Sequence, residues 1–110
     1  MSVRYTYKNK PIIYAIRNRI TGMMYIGSSF IPSARFHQHL ISKTNSNFEL
    51  QQSISKYGLD NFTVYILEVV DFPSTLLYNE RNKFLRKREQ FFINQYPTVQ
   101  LFNSINSSAI

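Results

Sequence analysis

The segment PIIYAIRNRITGMMYIG, residues 11–27, constrains the fold more than any other part of the chain. PIIYAIRN (11–18) is rich in β-branched and aromatic residues and reads as a strand. RITG (19–22) reads as the turn, because Gly22 can supply the positive φ that a tight hairpin needs. MMYIG (23–27) is then the returning strand. With Asn18 paired to Met23, Ile16 faces Tyr25 and Tyr14 faces Gly27. Side chains alternate along a strand, so Tyr14 and Tyr25 share one face as diagonal neighbours, with open space expected over Gly27. A one-residue slip would put the two phenols on opposite faces.

NFTVYILEVV (61–70) is the strongest single strand signal. Two helical segments separate it from the hairpin. Pro32 and Ser33 open the first, proline in the first turn and serine as the cap, and it runs to about Ser42 with Phe36 and Leu40 on one side. After a polar loop, KTNSN (43–47), FELQQSISKYG (48–58) reads as a short helix stopped by Gly58. Ser74 is expected to cap a last helix reaching about Tyr96, broken near 79–82, and VQLFNSI (99–105) to add a short extended piece. The order β-β-α-α-β-α predicts one α/β domain over residues 1–110: a small, mostly antiparallel sheet packed on helices.

Composition narrows the function. No apolar run approaches the roughly 18–20 residues of a membrane span, and MSVRYTYKNK lacks the apolar centre of a secretory signal. Cysteine is absent, which removes disulfides, thiolate metal sites and cysteine nucleophiles. His37 and His39 are too few for a zinc site without carboxylate help. Thirteen Lys and Arg against six Asp and Glu give a net charge of +7, which favours a polyanionic partner: nucleic acid first, an anionic membrane surface second. The abundance of Ile, Asn, Phe and Tyr matches A/T-rich codons, as in an organelle, phage or large-virus genome.

Several residue types carry chemistry. Tyr14 and Tyr25 are either a cross-strand packing pair or two phenols of one site. Arg35 and His39, at i and i+4 on the first helix, can hold and polarise a phosphate, or can be solvated surface residues. Leu85, Glu89, Phe92 and Tyr96 fall on one stripe of the last helix, with Arg86, Lys87 and Arg88 mostly off it. A carboxylate amid apolar side chains needs an arginine from elsewhere or a divalent cation. An isolated carboxylate with several waters suits Mg²⁺. Together these are parts for phosphodiester hydrolysis, and no Ser-His-Asp set, P-loop or Rossmann glycine pattern competes.

The string IIY, AIRN, YIGSS, RFHQHL, ELQQSISKYGLDNF, REQFFINQY and LFN, in that order from about Pro11 to Ile105, closely resembles the GIY-YIG endonucleases. The resemblance implies a three-stranded antiparallel sheet flanked by helices. It places the family's two motif tyrosines on Tyr14 and Tyr25, its arginine on Arg35, an assisting histidine on His39, its metal-binding glutamate on Glu89 and a supporting asparagine on Asn103. Gly27 closes the second motif, and Lys56, Tyr57, Gly58, Asn61 and Phe62 match a structural motif. Two positions depart: Ile12 stands where the family has glycine, and Asn45 or its neighbours occupy a loop where some relatives have histidine.

The resemblance further implies Mg²⁺-dependent (or Mn²⁺-dependent) cleavage of double-stranded DNA, one strand per domain, with a transient dimer for double-strand cutting and no membrane partner. Tyr14 would take a proton from water, relayed through His39, while Tyr25 and Arg35 orient the phosphate and Glu89 holds the metal. Arg17, Arg19, Lys43, Lys56 and Arg86 are candidates for backbone contacts. The expected class is an intron-encoded or free-standing homing endonuclease of mitochondrial, phage or viral origin. Its DNA-reading region has either been removed beyond Ile110 or is absent from a stand-alone form. A catalytically silent DNA-binding module and a restriction or repair nuclease are the alternatives.

Overall fold

A computed structural model describes residues 10–103. Three antiparallel strands form one sheet in the order β2-β1-β3, with β1 at Ile12–Asn18, β2 at Met24–Ser29 and β3 at Phe62–Val69. The central position of β1 explains why IIYAI is apolar on both faces: helices cover each side, so successive side chains all enter a core.

The hairpin register is the expected one, Ile16 opposite Tyr25 and Tyr14 opposite Gly27. Asn18 fixes the turn. Its side-chain oxygen accepts from the Ile20 and Thr21 amides at 2.8 and 3.3 Å, and Gly22 adopts φ +78°. β2 continues to Ser29, two residues beyond the expected end.

One face of the sheet carries Ile12, Tyr14 and Ile16 against Phe36, Leu40, Leu50 and Ile54 of the first two helices. The other carries Ile13, Ala15, Met24 and Ile26 against Leu85 of the last. The first helix, α1 (Pro32–His37), widens into a π turn over Gln38–Ser42 and stops at Lys43 in the left-handed region, φ 57°. Ser33 does not cap it. Ile31 is the N-cap without a side-chain bond, and Ser29 Oγ accepts from the Ile31 amide instead. α2 spans Phe48–Tyr57, capped by Asn47 Oδ1 on the Leu50 amide at 2.8 Å and closed by Gly58 at φ +87°.

The last helix, α3, runs unbroken over Tyr78–Ile93, so the expected start at Ser74, the break near 79–82 and the extension to Tyr96 are all corrected. Ser74 lies in a turn where the Leu76 amide donates to the Pro73 carbonyl. The helix begins where Glu80 accepts from the Leu77 amide at 3.1 Å. Of the expected extended tail, Thr98–Gln100 is a 3-10 turn and Leu101 makes one parallel bridge to Met24; residues 104–105 lie outside the described residues. No helix among the described residues is long and apolar enough to cross a membrane.

Candidate active site

Tyr14, Tyr25, Arg35 and His39 meet on the face covered by α1. The two phenol rings are 6.3 Å apart and tilted, and His39 lies 5.7 Å from Tyr14 and 5.1 Å from Tyr25, centroid to centroid. Phe36 closes the pocket edge-on to Tyr14 at 5.0 Å. The π turn carries His39 inward, where it is wholly buried, while His37 stays exposed.

Tyr14 is also wholly buried, so Tyr25 is the phenol that meets solvent. The space over Gly27 is not open, as the sequence suggested. A Cβ there would lie 2.5 Å from the Tyr14 hydroxyl and 2.9 Å from the Tyr25 ring. Glycine is required at 27 because two aromatic side chains already fill the volume that any larger residue would need.

The Tyr14 hydroxyl and His39 Nε2 are 2.7 Å apart, and His39 Nδ1 lies 2.6 Å from Ser46 Oγ. Burial pushes the Tyr14 phenol above its usual range, and the Tyr25 charge adds to this while Arg35 opposes it. Tyr25 is raised for the same first reason, again against Arg35. Burial and then the neighbouring Arg35 charge depress His39 to about 3, so it is neutral at ordinary pH. Arg35 is anchored by donating to Gln38 Oε1 at 2.7 Å and to the Asn45 carbonyl at 2.6 Å.

Glu89 approaches from the opposite face of the sheet, accepting from Ser28 Oγ at 2.6 Å, and its charge reaches both phenols. Ser28 follows Gly27 directly, so β2 connects the two halves of the site. Among the described residues Glu89 makes no ion pair; the adjacent Arg88 instead binds Glu68 on β3 at 2.7 Å. No group of three or more His, Cys, Asp and Glu is found among the described residues. The donor set is therefore one carboxylate with an uncommitted oxygen, which suits a cation that keeps most of its waters, such as Mg²⁺.

Asn103 lies against the backbone of β2. Its side chain donates to the Ile26 carbonyl at 2.7 Å and accepts from the Ile26 amide at 2.9 Å, gripping β2 next to Gly27 on the side away from β1. Ile12 is a fully buried core residue, with no side chain exposed to a substrate.

The proposed backbone-contact residues are dispersed. The Arg86 charge reaches Tyr25, and Lys43 sits on the loop whose Asn45 holds Arg35. Arg17 lies by Gly22, Arg19 donates to the Asp60 carbonyl and Lys56 stacks on Tyr57, all toward the hairpin-turn end of the sheet. Sequence reasoning missed Ser28, Ser46 and Gln51. Ser28 was readable as the residue beside a motif glycine; Ser46 and Gln51 had no signal beyond being polar.

The family model described as the GIY-YIG catalytic domain matches residues 10–103. A Neurospora crassa protein titled "Probable intron-encoded endonuclease 1" is 34% identical over 102 residues, covering 93% of this chain. The chain spans about a third of that relative, 32% of its length. No solved structure gives a significant match. With that domain match over residues 10–103 and 34% identity to a relative across 93% of its own length, the chain belongs to the GIY-YIG family.

Proposed function

We propose that the chain is a divalent-metal-dependent endonuclease domain that hydrolyses phosphodiester bonds in double-stranded DNA, of the intron-encoded homing type. The observation that carries this reading is Glu89: half-buried, bonded only through Ser28 among the described residues, and within electrostatic reach of both phenols. The relative's title supports the class, and the +7 charge suits the substrate.

Glu89 would hold Mg²⁺ or Mn²⁺, which when bound polarises the scissile phosphate and screens the charge on the leaving 3′ oxygen. Tyr25 and Arg35, on the solvent side, orient the phosphate, and the guanidinium offsets charge that builds up during in-line attack. Tyr14 accepts the proton of the attacking water while its own passes to His39 Nε2. A free phenolate is not populated near neutrality because burial raises Tyr14, so the coupled transfer replaces prior ionisation. Since Tyr14 is enclosed in the DNA-free chain, this step requires the Tyr25 side to admit water when DNA is bound.

One site cuts one strand, so double-strand breaks require a transient dimer or successive nicks. A fungal, intron-encoded relative favours an organelle-encoded origin. The silent-module alternative rests on Ile12, and core packing accounts for that residue without any loss of the site.

The test is nicking of supercoiled plasmid with Mg²⁺ or Mn²⁺, beside Glu89→Gln. Cleavage in the wild type that falls by roughly 10³-fold or more in the variant, with DNA binding retained, supports the proposal, given the several kcal/mol a metal contributes. DNA binding without nicking under either cation refutes it.

A further inference from the structure

We infer that Ser46, held in place by Gln51, fixes His39 in the tautomer that carries its proton on Nδ1, and so leaves Nε2 free to receive the Tyr14 proton. The inference deepens the hydrolytic reading above and rests on it for its catalytic meaning.

The assignment follows from donor and acceptor counting. Tyr14 is wholly buried, so its hydroxyl hydrogen needs an acceptor in the protein. Of the other groups that act on that hydroxyl, Arg35 can only donate, while Tyr25 and Glu89 act through charge and form no hydrogen bond with it. That leaves His39 Nε2, at 2.7 Å, as the acceptor. A neutral histidine that accepts at Nε2 carries its hydrogen on Nδ1. That hydrogen points at Ser46 Oγ, 2.6 Å away.

The far side of the serine is set by Gln51. Its Nε2 lies 2.8 Å from the His39 carbonyl and 2.8 Å from Ser46 Oγ. A carbonyl oxygen only accepts, so the amide must present nitrogen there and not oxygen, which settles its orientation chemically. One Gln51 hydrogen goes to the His39 backbone and the other to Ser46. Ser46 Oγ thus accepts from two donors, and its own hydrogen is directed toward the partly exposed side of the residue.

Gln51 Oε1, in turn, is buried with no partner, a costly arrangement. Its retention makes sense if the amide is kept for the two bonds that its nitrogen donates. Ser46 and Gln51 touch no reacting atom and act through His39, so they are positioning residues.

The transfer is balanced. As an O–H bond of water breaks and one forms on the Tyr14 oxygen, the original Tyr14 O–H breaks and Nε2–H forms. His39 is then a transient imidazolium that keeps its Nδ1 proton on Ser46 Oγ. When Tyr14 gives the water-derived proton to solvent, the Nε2 proton returns to the Tyr14 oxygen, and His39 is again neutral in its starting tautomer.

The test is ¹⁵N NMR of histidine in the DNA-free chain, for wild type, Ser46→Ala, Ser46→Thr and Gln51→Met, each checked for folding by thermal melt. Wild-type and Ser46→Thr His39 are expected with the proton on Nδ1. Ser46→Ala and Gln51→Met are expected to shift population toward Nε2–H. Single-turnover nicking should fall roughly 10–100-fold in Ser46→Ala, within the contribution of a proton-transfer group, with DNA affinity unchanged and recovery in Ser46→Thr. A wild-type proton on Nε2, or an unaltered tautomer in Ser46→Ala, overturns the inference. The spectra decide it whether or not the chain nicks DNA, and an inactive wild type would instead count against the hydrolytic reading.

Discussion

The Tyr14 hydroxyl occupies the volume where residue 27 would carry its Cβ, 2.5 Å from that position, so Gly27 and Tyr14 are sterically interlocked across the hairpin. Gly27→Ala must move Tyr14, because the alternative is to shift β2 away from the central strand β1. Displacing the phenol breaks its hydrogen bond to His39 before anything else. We expect destabilisation of about 1–3 kcal/mol from overpacking and loss of nicking by at least the roughly 100-fold that a proton-transfer group contributes. Chemical denaturation and plasmid nicking of the variant check both.

Two residues before Tyr14 on β1, the prediction is the opposite. Restoring the family glycine by Ile12→Gly removes a side chain that is wholly buried between Phe36, Leu50 and their neighbours. The cost is that of an aliphatic deletion, about 2–5 kcal/mol, with up to ~1 kcal/mol more for backbone freedom. No gain in nicking is expected, since Ile12 faces no substrate. A variant that melts no earlier than wild type would show that the core does not depend on this residue.

The register was legible in the sequence because two local constraints agree. Asn18 and Gly22 fix the turn, and the period-two alternation then determines which residues face each other down to Tyr14 and Gly27. Glu89 was legible for a similar reason: helical spacing puts it above Leu85, the one buried residue of α3. What failed depends on neighbours distant in sequence. A glycine advertises that space is needed but not which side chain fills it. Ser74 has cap chemistry, yet the Pro73–Leu76 turn and Glu80 win the helix start. Gln51 reads as an ordinary helix surface residue until the π turn brings the His39 carbonyl to it.

Asn103 pairs with β2 on the side away from β1. Its amide bonds both backbone groups of Ile26, beside the Met24–Leu101 bridge. In Asn103→Ala the Ile26 amide and carbonyl lose their partners, at about 1–3 kcal/mol for each group left unpaired. The expected signature is faster hydrogen exchange at the Ile26 amide, with nicking reduced in step as Gly27 and Ser28 lose their fixed position. Unchanged exchange at Ile26 would mean that the clamp does not hold in solution.

His39 ties stability to pH. Its folded value, depressed to about 3 by burial and then by Arg35, lies below the ordinary 6.5 that it regains on unfolding. Between these values the unfolded chain binds the extra proton, so unfolding is favoured as pH falls. The stabilisation is fully present above about pH 6.5 and is lost progressively toward pH 3. Its ceiling is on the order of 3–5 kcal/mol. His39→Gln, which cannot take up a proton, should therefore flatten the stability profile over that interval. It should also lower stability near neutrality, because Tyr14 and Ser46 are deprived of their shared imidazole partner. Urea denaturation of both chains at stepped pH checks this. Parallel slopes would show that the acid sensitivity comes from other groups and that His39 is not a neutral, enclosed partner of the Tyr14 phenol.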